Sequence, residues 1–157
     1  MGEKMKKSFI VKNLNDMELL AKSVAETVKP GYIIGLKGTL GSGKTTFTQF
    51  LAKYIGIKDN VNSPTFTILK VYKGPIPMYH MDVYRLENIG YDYELDDFIY
   101  GDGVAIIEWY PYILGMLPKE ILEVSIDVVN ETSRIVTMEG SGIYEDALEI
   151  ISNRYGN

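Results

Sequence analysis

The sequence predicts an α/β fold, three layers built on a mostly parallel central sheet with an antiparallel C-terminal hairpin, on three observations. Tyr32-Ile33-Ile34-Gly35-Leu36 and Val104-Ala105-Ile106-Ile107 are short runs with no polar face, as expected of strands covered on both sides. The first run leads through a glycine-rich loop into an amphipathic helix. Late in the chain, Leu122, Val124, Ile126 and Val128 alternate with Glu123, Ser125 and Asp127, the pattern of a strand with one wet face.

In chain order, residues 1–7 are basic, and Phe9-Ile10-Val11 is too short an apolar run for a signal peptide, so a frayed N-terminus is expected. Asn15 or Asp16 is a candidate cap for a helix carrying Met17, Leu20, Val24 and Val28 on one face, ended by Pro30-Gly31. After the strand at 32–36 and the loop at 38–43, a helix from Lys44 presents Phe47, Phe50, Leu51, Tyr54 and Ile55, with Gly56 as its stop. Ser63-Pro64-Thr65 opens an extended segment to about Tyr72, Gly74-Pro75 turns it, and residues 77–84 read as its partner strand. Residues 94–99 suggest a short helix, and the run Asp92 to Asp97 a solvated face. Residues 134–139 close a hairpin around Asn130-Glu131, and a last helix carries Ile143, Ala147, Ile150 and Ile151.

At 157 residues the chain has the length of one domain, spanning 1–157, with one core. The absence of cysteine excludes disulfides, thiolate metal sites and a cysteine nucleophile. A net charge of −5 argues against a nucleic-acid-binding surface, so any link to RNA is expected to run through a partner. No stretch approaches the roughly 20 apolar residues that cross a bilayer. A soluble cytoplasmic protein is expected.

The strongest local signal is Gly38-Thr39-Leu40-Gly41-Ser42-Gly43-Lys44-Thr45, which satisfies G-x-x-x-x-G-K-[ST] between an apolar strand and an amphipathic helix. Glycines let consecutive N–H groups turn inward onto phosphate oxygens, and the helix N-terminus adds its positive dipole end. Lys44 would then reach the β- and γ-phosphates, and the Thr45 hydroxyl would be a ligand of Mg²⁺. This is a P-loop NTPase-like arrangement.

Such a loop needs a carboxylate near the metal at a neighbouring strand end, and Glu108 stands there after residues 104–107. Asp82, in His80-Met81-Asp82, is the second candidate, to hold the metal through water or to orient the attacking water. His80 is the only histidine, which excludes a His-based metal site, and it reads as a packed, hydrogen-bonded residue. The hydroxyls of Ser63-Pro64-Thr65-Phe66-Thr67 fit either a γ-phosphate-sensing switch or plain strand propensity. Trp109 fits either a stacking surface or core.

Four segments together resemble the tRNA threonylcarbamoyladenosine biosynthesis ATPase family (TsaE/YjeE). They are Gly38-Thr39-Leu40-Gly41-Ser42-Gly43-Lys44-Thr45-Thr46-Phe47, Val61-Asn62-Ser63-Pro64-Thr65-Phe66-Thr67, Tyr79-His80-Met81-Asp82-Val83-Tyr84-Arg85-Leu86 and Glu108-Trp109. The S-P-T and H-x-D-x-Y-R combination is more specific than the P-loop, and the resemblance runs nearly end to end.

It implies a weak Mg-ATP-dependent ATPase working with two kinase-like-fold partner proteins that transfer threonylcarbamoyl to adenosine 37 of tRNAs decoding A-starting codons. Hydrolysis would cycle that complex, and tRNA contact would be indirect. It also implies that Lys44 binds phosphates, Thr45, Glu108 and Asp82 serve the metal, and Ser63 and Thr65 lie in a switch-like segment. Thr46 would sit beside the phosphates and Arg134 would approach the nucleotide. The chain departs from the family where members often have a small hydroxyl residue early in the first helix; here stands Met17.

Three other readings compete. A nucleoside or small-molecule kinase would need an arginine-bearing lid, and the basic residues after Lys73 are only Arg85, Lys119, Arg134 and Arg154. A GTPase would need N-K-x-D, which Asn13-Leu14-Asn15-Asp16 does not supply. A nucleotide-gated interaction module merges with the family reading.

Overall fold

Alternation along the strands decides which side chains meet on each face of the sheet. The computed structural model describes residues 4–39, 41–62, 68–84, 86 and 93–156. Seven strands form one sheet in the order β1-β7-β6-β2-β5-β4-β3. They are β1 (Met5–Val11), β2 (Ile33–Gly38), β3 (Leu69–Tyr72), β4 (Met78–Asp82), β5 (Val104–Glu108), β6 (Leu122–Val128) and β7 (Arg134–Gly140). The four central strands, β6, β2, β5 and β4, run parallel. Antiparallel pairs flank them: β3 beside β4, and the β6–β7 hairpin extended by β1. The predicted α/β architecture with a parallel centre and a late hairpin is the one observed.

Helices α1 (Leu14–Ala25), α2 (Lys44–Ile55) and α4 (Ile143–Tyr155) cover one face. There Ile34 and Leu36 of β2 and Val104 and Ile106 of β5 pack with Leu20, Phe47, Leu51 and Leu148. Ile33, Met81, Ala105 and Ile107 point to the other face, covered by a 3₁₀ turn (Tyr93–Leu95), the short α3 (Asp96–Ile99) and a 3₁₀ segment (Tyr110–Met116). Both faces of β2 are therefore dry, which is why its sequence lacks alternation.

Several expectations need correction. Asn13 caps α1, two residues ahead of the expected start: its side chain accepts the Asp16 N–H at 2.9 Å, while Asp16 Oδ2 accepts the Lys12 N–H at 3.0 Å. A first-turn carboxylate suited to a cap thus serves as the reciprocal partner. The helix ends at Ala25, ahead of Pro30. The N-terminal stretch forms β1, an edge strand whose Phe9 and Val11 enter the core, where fraying was expected. Tyr54 lies on the exposed side of α2, held to Glu18 by its hydroxyl. In α4 the buried residues are Tyr144, Ala147, Leu148 and Ile151, whereas Ile143 and Ile150 are exposed. The Tyr144 ring tilts against Tyr32 and its hydroxyl accepts the Ile33 N–H, so this rotation of the helix satisfies a backbone donor beside β2. Strand β4 stops at Asp82, short of Tyr84. Among the described residues no helix is long and apolar enough to cross a membrane.

Candidate functional site

The glycine loop follows β2, at the end of the parallel strands. Gly43 precedes α2 with φ 112°, a left-handed conformation that glycine adopts without a Cβ penalty. Gly38 has no room for a side chain: a Cβ there would sit 2.6 Å from Ser42 Oγ and 2.8 Å from the Ile126 carbonyl. The loop thus folds tightly on β6. α2 opens without a side-chain cap among the described residues, the arrangement in which a helix N-terminus can receive an anion. Lys44 is buried, donates to the Gly38 carbonyl at 2.8 Å, and lies 4.7 Å from the centre of the Trp109 ring.

Register brings the acidic residues to this loop. Asp82, ending β4, is the Cα partner of Glu108, ending β5. Both share strand parity with Val104 and Ile106, whose side chains pack on the α2 face. Asp82 and Glu108 line one cleft of about 270 Å³ with Gly41, Lys44, Thr45 and Thr46. Burial pushes the Asp82 carboxyl up, and the neighbouring Glu108 charge adds to this, while Lys44 and the Tyr84 N–H oppose it. A cation between these carboxylates would relieve that mutual repulsion.

Glu108 is itself almost wholly buried, and its Oε2 lies 2.7 Å from Nε2 of the fully buried His80. The histidine is a packed, hydrogen-bonded residue, as expected, but its partner is one of the two acidic site residues. Trp109 is about one-third exposed and is the one non-glycine residue with positive φ, 63°, among those described. Its ring stacks with Tyr112 and tilts against Tyr84. That conformation is sparsely populated for a tryptophan, and here it accompanies a ring lying beside Lys44.

On the other side of the loop a groove of about 710 Å³ runs between α1 and the β6–β7 hairpin, walled by Asn13, Met17, Gly43, Thr46, Thr132 and Arg134. Arg134 Nε donates to the Ser42 carbonyl at 2.8 Å, and its Nη1 donates to the Asn130 carbonyl at 2.8 Å. The hairpin arginine therefore clips the glycine loop to the β6–β7 turn. Met17 stands in the wall, where its terminal carbon lies 3.7 Å from the position a Gly43 Cβ would take. Gly38 and Thr39 face a third recess with Trp109 and Tyr112. Leu40, Ser63 and Thr65 lie outside the described residues.

A family model described as threonylcarbamoyl adenosine biosynthesis protein TsaE matches residues 11–136. The chain belongs to the TsaE family. It is 44% identical to the tRNA threonylcarbamoyladenosine biosynthesis protein TsaE of Bacillus subtilis over 131 residues, 83% of each chain. It is 35% identical to the TsaE of Treponema pallidum over 134 residues, covering 78% of this chain and 99% of that one. The crystal structure of Bacillus subtilis YdiB superposes with a TM-score of 0.81 at 33% identity, covering both chains completely. The expected TsaE membership and fold are both borne out.

Two features of this TsaE site escaped the reading of the residues. The His80–Glu108 bond joins residues 28 apart in sequence, on strands whose parallel register no single sequence displays. The Lys44–Trp109 contact had a signal, an aromatic directly after the strand-end carboxylate, but both a stacking role and a core role fitted it.

Proposed function

We propose that this chain is a Mg-ATP-dependent P-loop ATPase, one domain from 1 to 157, serving formation of threonylcarbamoyladenosine at position 37 of tRNAs that decode A-starting codons. The observation that carries the proposal is the convergence of the β2–glycine loop–α2 unit with Asp82 and Glu108 on one cleft. The names of the relatives at 44% and 35% identity support the pathway.

In this reading ATP lays its phosphates on the loop at residues 38–46, with the nucleoside in the groove beside Arg134. Lys44 exchanges the Gly38 carbonyl for the β- and γ-phosphate oxygens, an ammonium moving from a neutral acceptor to charged ones. Thr45, Asp82 and Glu108 would hold Mg²⁺. An all-oxygen donor set suits that ion, which keeps waters and phosphate oxygens in its shell. Bound there, the ion would supply positive charge at the phosphate oxygens.

Asp82, whose carboxyl burial pushes up, would orient the attacking water, with Glu108 as the alternative. Ser63 and Thr65 are proposed as the switch-like segment that senses the γ-phosphate. The protein would work in the cytoplasm with two kinase-like-fold partner proteins, would hydrolyse ATP weakly alone, and would use turnover to cycle their complex, touching tRNA only indirectly.

Steady-state ATP hydrolysis with Mg²⁺ tests this, first alone and then with the two partners and tRNA. Low activity that rises with the partners, together with modified tRNA, is the expected result. Hydrolysis indifferent to the partners would remove the pathway role and keep the ATPase.

A further inference from the structure

His80 is the most completely buried titratable side chain beside the cleft, and one of its two ring nitrogens is satisfied while the other is not. Nε2 lies 2.7 Å from Glu108 Oε2, and Nδ1 has no hydrogen-bond partner among the described residues. The proton inventory of an imidazole narrows the choices. An imidazolium would bury an N–H at Nδ1 with no acceptor. A neutral ring protonated at Nδ1 would do the same, and would also need a proton from the carboxyl group to fill the gap at Nε2. Only the tautomer protonated at Nε2 avoids an orphaned buried donor, leaving a lone pair at Nδ1. In that form His80 donates to Glu108.

Strand geometry gives this bond its purpose. Met78, His80 and Asp82 alternate onto the face of β4 that looks toward α2, and Asp82 is in register with Glu108. His80 therefore reaches Glu108 from below, one strand repeat beneath the rim of the cleft. The Glu108 backbone is also held, its carbonyl accepting the Val83 N–H at 3.2 Å. With the main chain fixed and one carboxylate oxygen bonded, Glu108 loses its remaining torsional freedom.

We infer that His80 is a positioning residue, which donates Nε2–H to Glu108 and holds that carboxylate in the orientation that receives the divalent cation of the nucleotide complex. The inference rests on the Mg-ATP reading. Carboxylates that bind metals are commonly hydrogen-bonded from behind, and losing such a partner costs about 10- to 100-fold in metal affinity.

The test compares His80→Gln with His80→Asn in the full-length protein. The Gln amide nitrogen extends to the neighbourhood of Nε2 and can still donate to Glu108; the shorter Asn stops near Nδ1 and cannot. Calorimetry would measure the affinity for a non-hydrolysable ATP analogue, first in EDTA and then with saturating Mn²⁺, and electron paramagnetic resonance would follow the bound Mn²⁺. The metal-dependent gain in affinity is expected to fall about 10-fold or more in His80→Asn. His80→Gln is expected to restore most of it, and the affinity in EDTA to be the same in all three proteins.

Three results would overturn the inference: a wild-type gain in His80→Asn, an equal loss in both variants, or a parallel fall of affinity in EDTA. If the wild-type protein binds the analogue without any gain from Mn²⁺, the Mg-ATP reading falls too; otherwise that reading survives the failure of this one.

Discussion

The cleft holding Asp82 and Glu108 and the groove holding Arg134 share the glycine loop as a wall, yet they are built differently. The first is framed by the ends of two paired strands, so backbone register brings its two acidic residues to one place and His80 bonds to one of them. The second is assembled from a helix cap at Asn13, a loop and a hairpin turn, joined by the hydrogen bonds of one guanidinium. Chemistry that needs groups held to fractions of an ångström belongs on the rigid part, and recognition of a whole ligand tolerates the looser one. The acidic cleft is accordingly expected to govern turnover and the groove to govern affinity.

Substitutions on either side can break that division. The largest effect is expected of Lys44→Ala, which removes the ammonium that the described residues bring to the cleft wall. ATPase activity should fall by about 10³-fold, and a rate assay giving wild-type turnover would remove the P-loop assignment. Glu108→Ala should lower kcat by about 10²-fold while leaving the metal-free affinity for ATP, measured in EDTA, nearly intact. Separate measurement of turnover and binding checks this, and equal losses in both would make Glu108 a builder of the site only. Arg134→Ala should do the converse, weakening nucleotide binding about 10-fold, as loss of a charged hydrogen bond does, with kcat close to wild type. If kcat collapses instead, the groove takes part in turnover and the division fails.

The smallest effect concerns the sheet that carries both regions. Glu123 on β6 accepts from Lys4 at 2.6 Å and from Tyr110, just beyond β5, at 2.8 Å. Burial pushes its carboxyl up, but these two hydrogen bonds together with the charges of Lys4 and Lys37 outweigh burial and hold it below its ordinary value. A depressed carboxyl contributes stability above the unfolded-state pKa of about 4.3 and loses it as pH falls through the lower folded value. Glu123→Gln should therefore lower Tm by about 2 °C at neutral pH, and the difference should vanish in melts at acid pH. A difference that persists there would assign the effect to packing.

The same contrast governs what could be read from the residues. Gly38 to Thr45 is contiguous, and Glu108 follows a run so apolar that its strand could only be buried; both lie where the pattern predicts. Asp82 also stands at its strand end, although β4 stops there and not at Tyr84. Long-range pairing was less accessible. Strand β1 exposes Lys6, Ser8 and Ile10 and buries Phe9 and Val11, a pattern too short and basic to announce a strand without its partner β7, more than 120 residues later. The face of α4 was misjudged because Ile143 and Ile150 are aliphatic, while the buried Tyr144 is committed by a hydrogen bond to β2. The groove itself was not foreseen: only Arg134 was named, through resemblance to a family, since nothing local ties it to Ser42.

The strand order has a consequence for how the protein is made. The strand that carries the glycine loop is synthesised early, but both neighbours that cover its edges, β5 and β6, come from the second half of the chain. On the ribosome, Ile33 to Gly38 must wait with open edges until Leu122 to Val128 has emerged, and β1 waits longer still for β7. Contacts so distant in sequence slow folding and leave unpaired apolar strand exposed during elongation. The nascent glycine loop thus hangs from a strand in need of protection from other chains, and its surroundings are complete only when the last strands arrive.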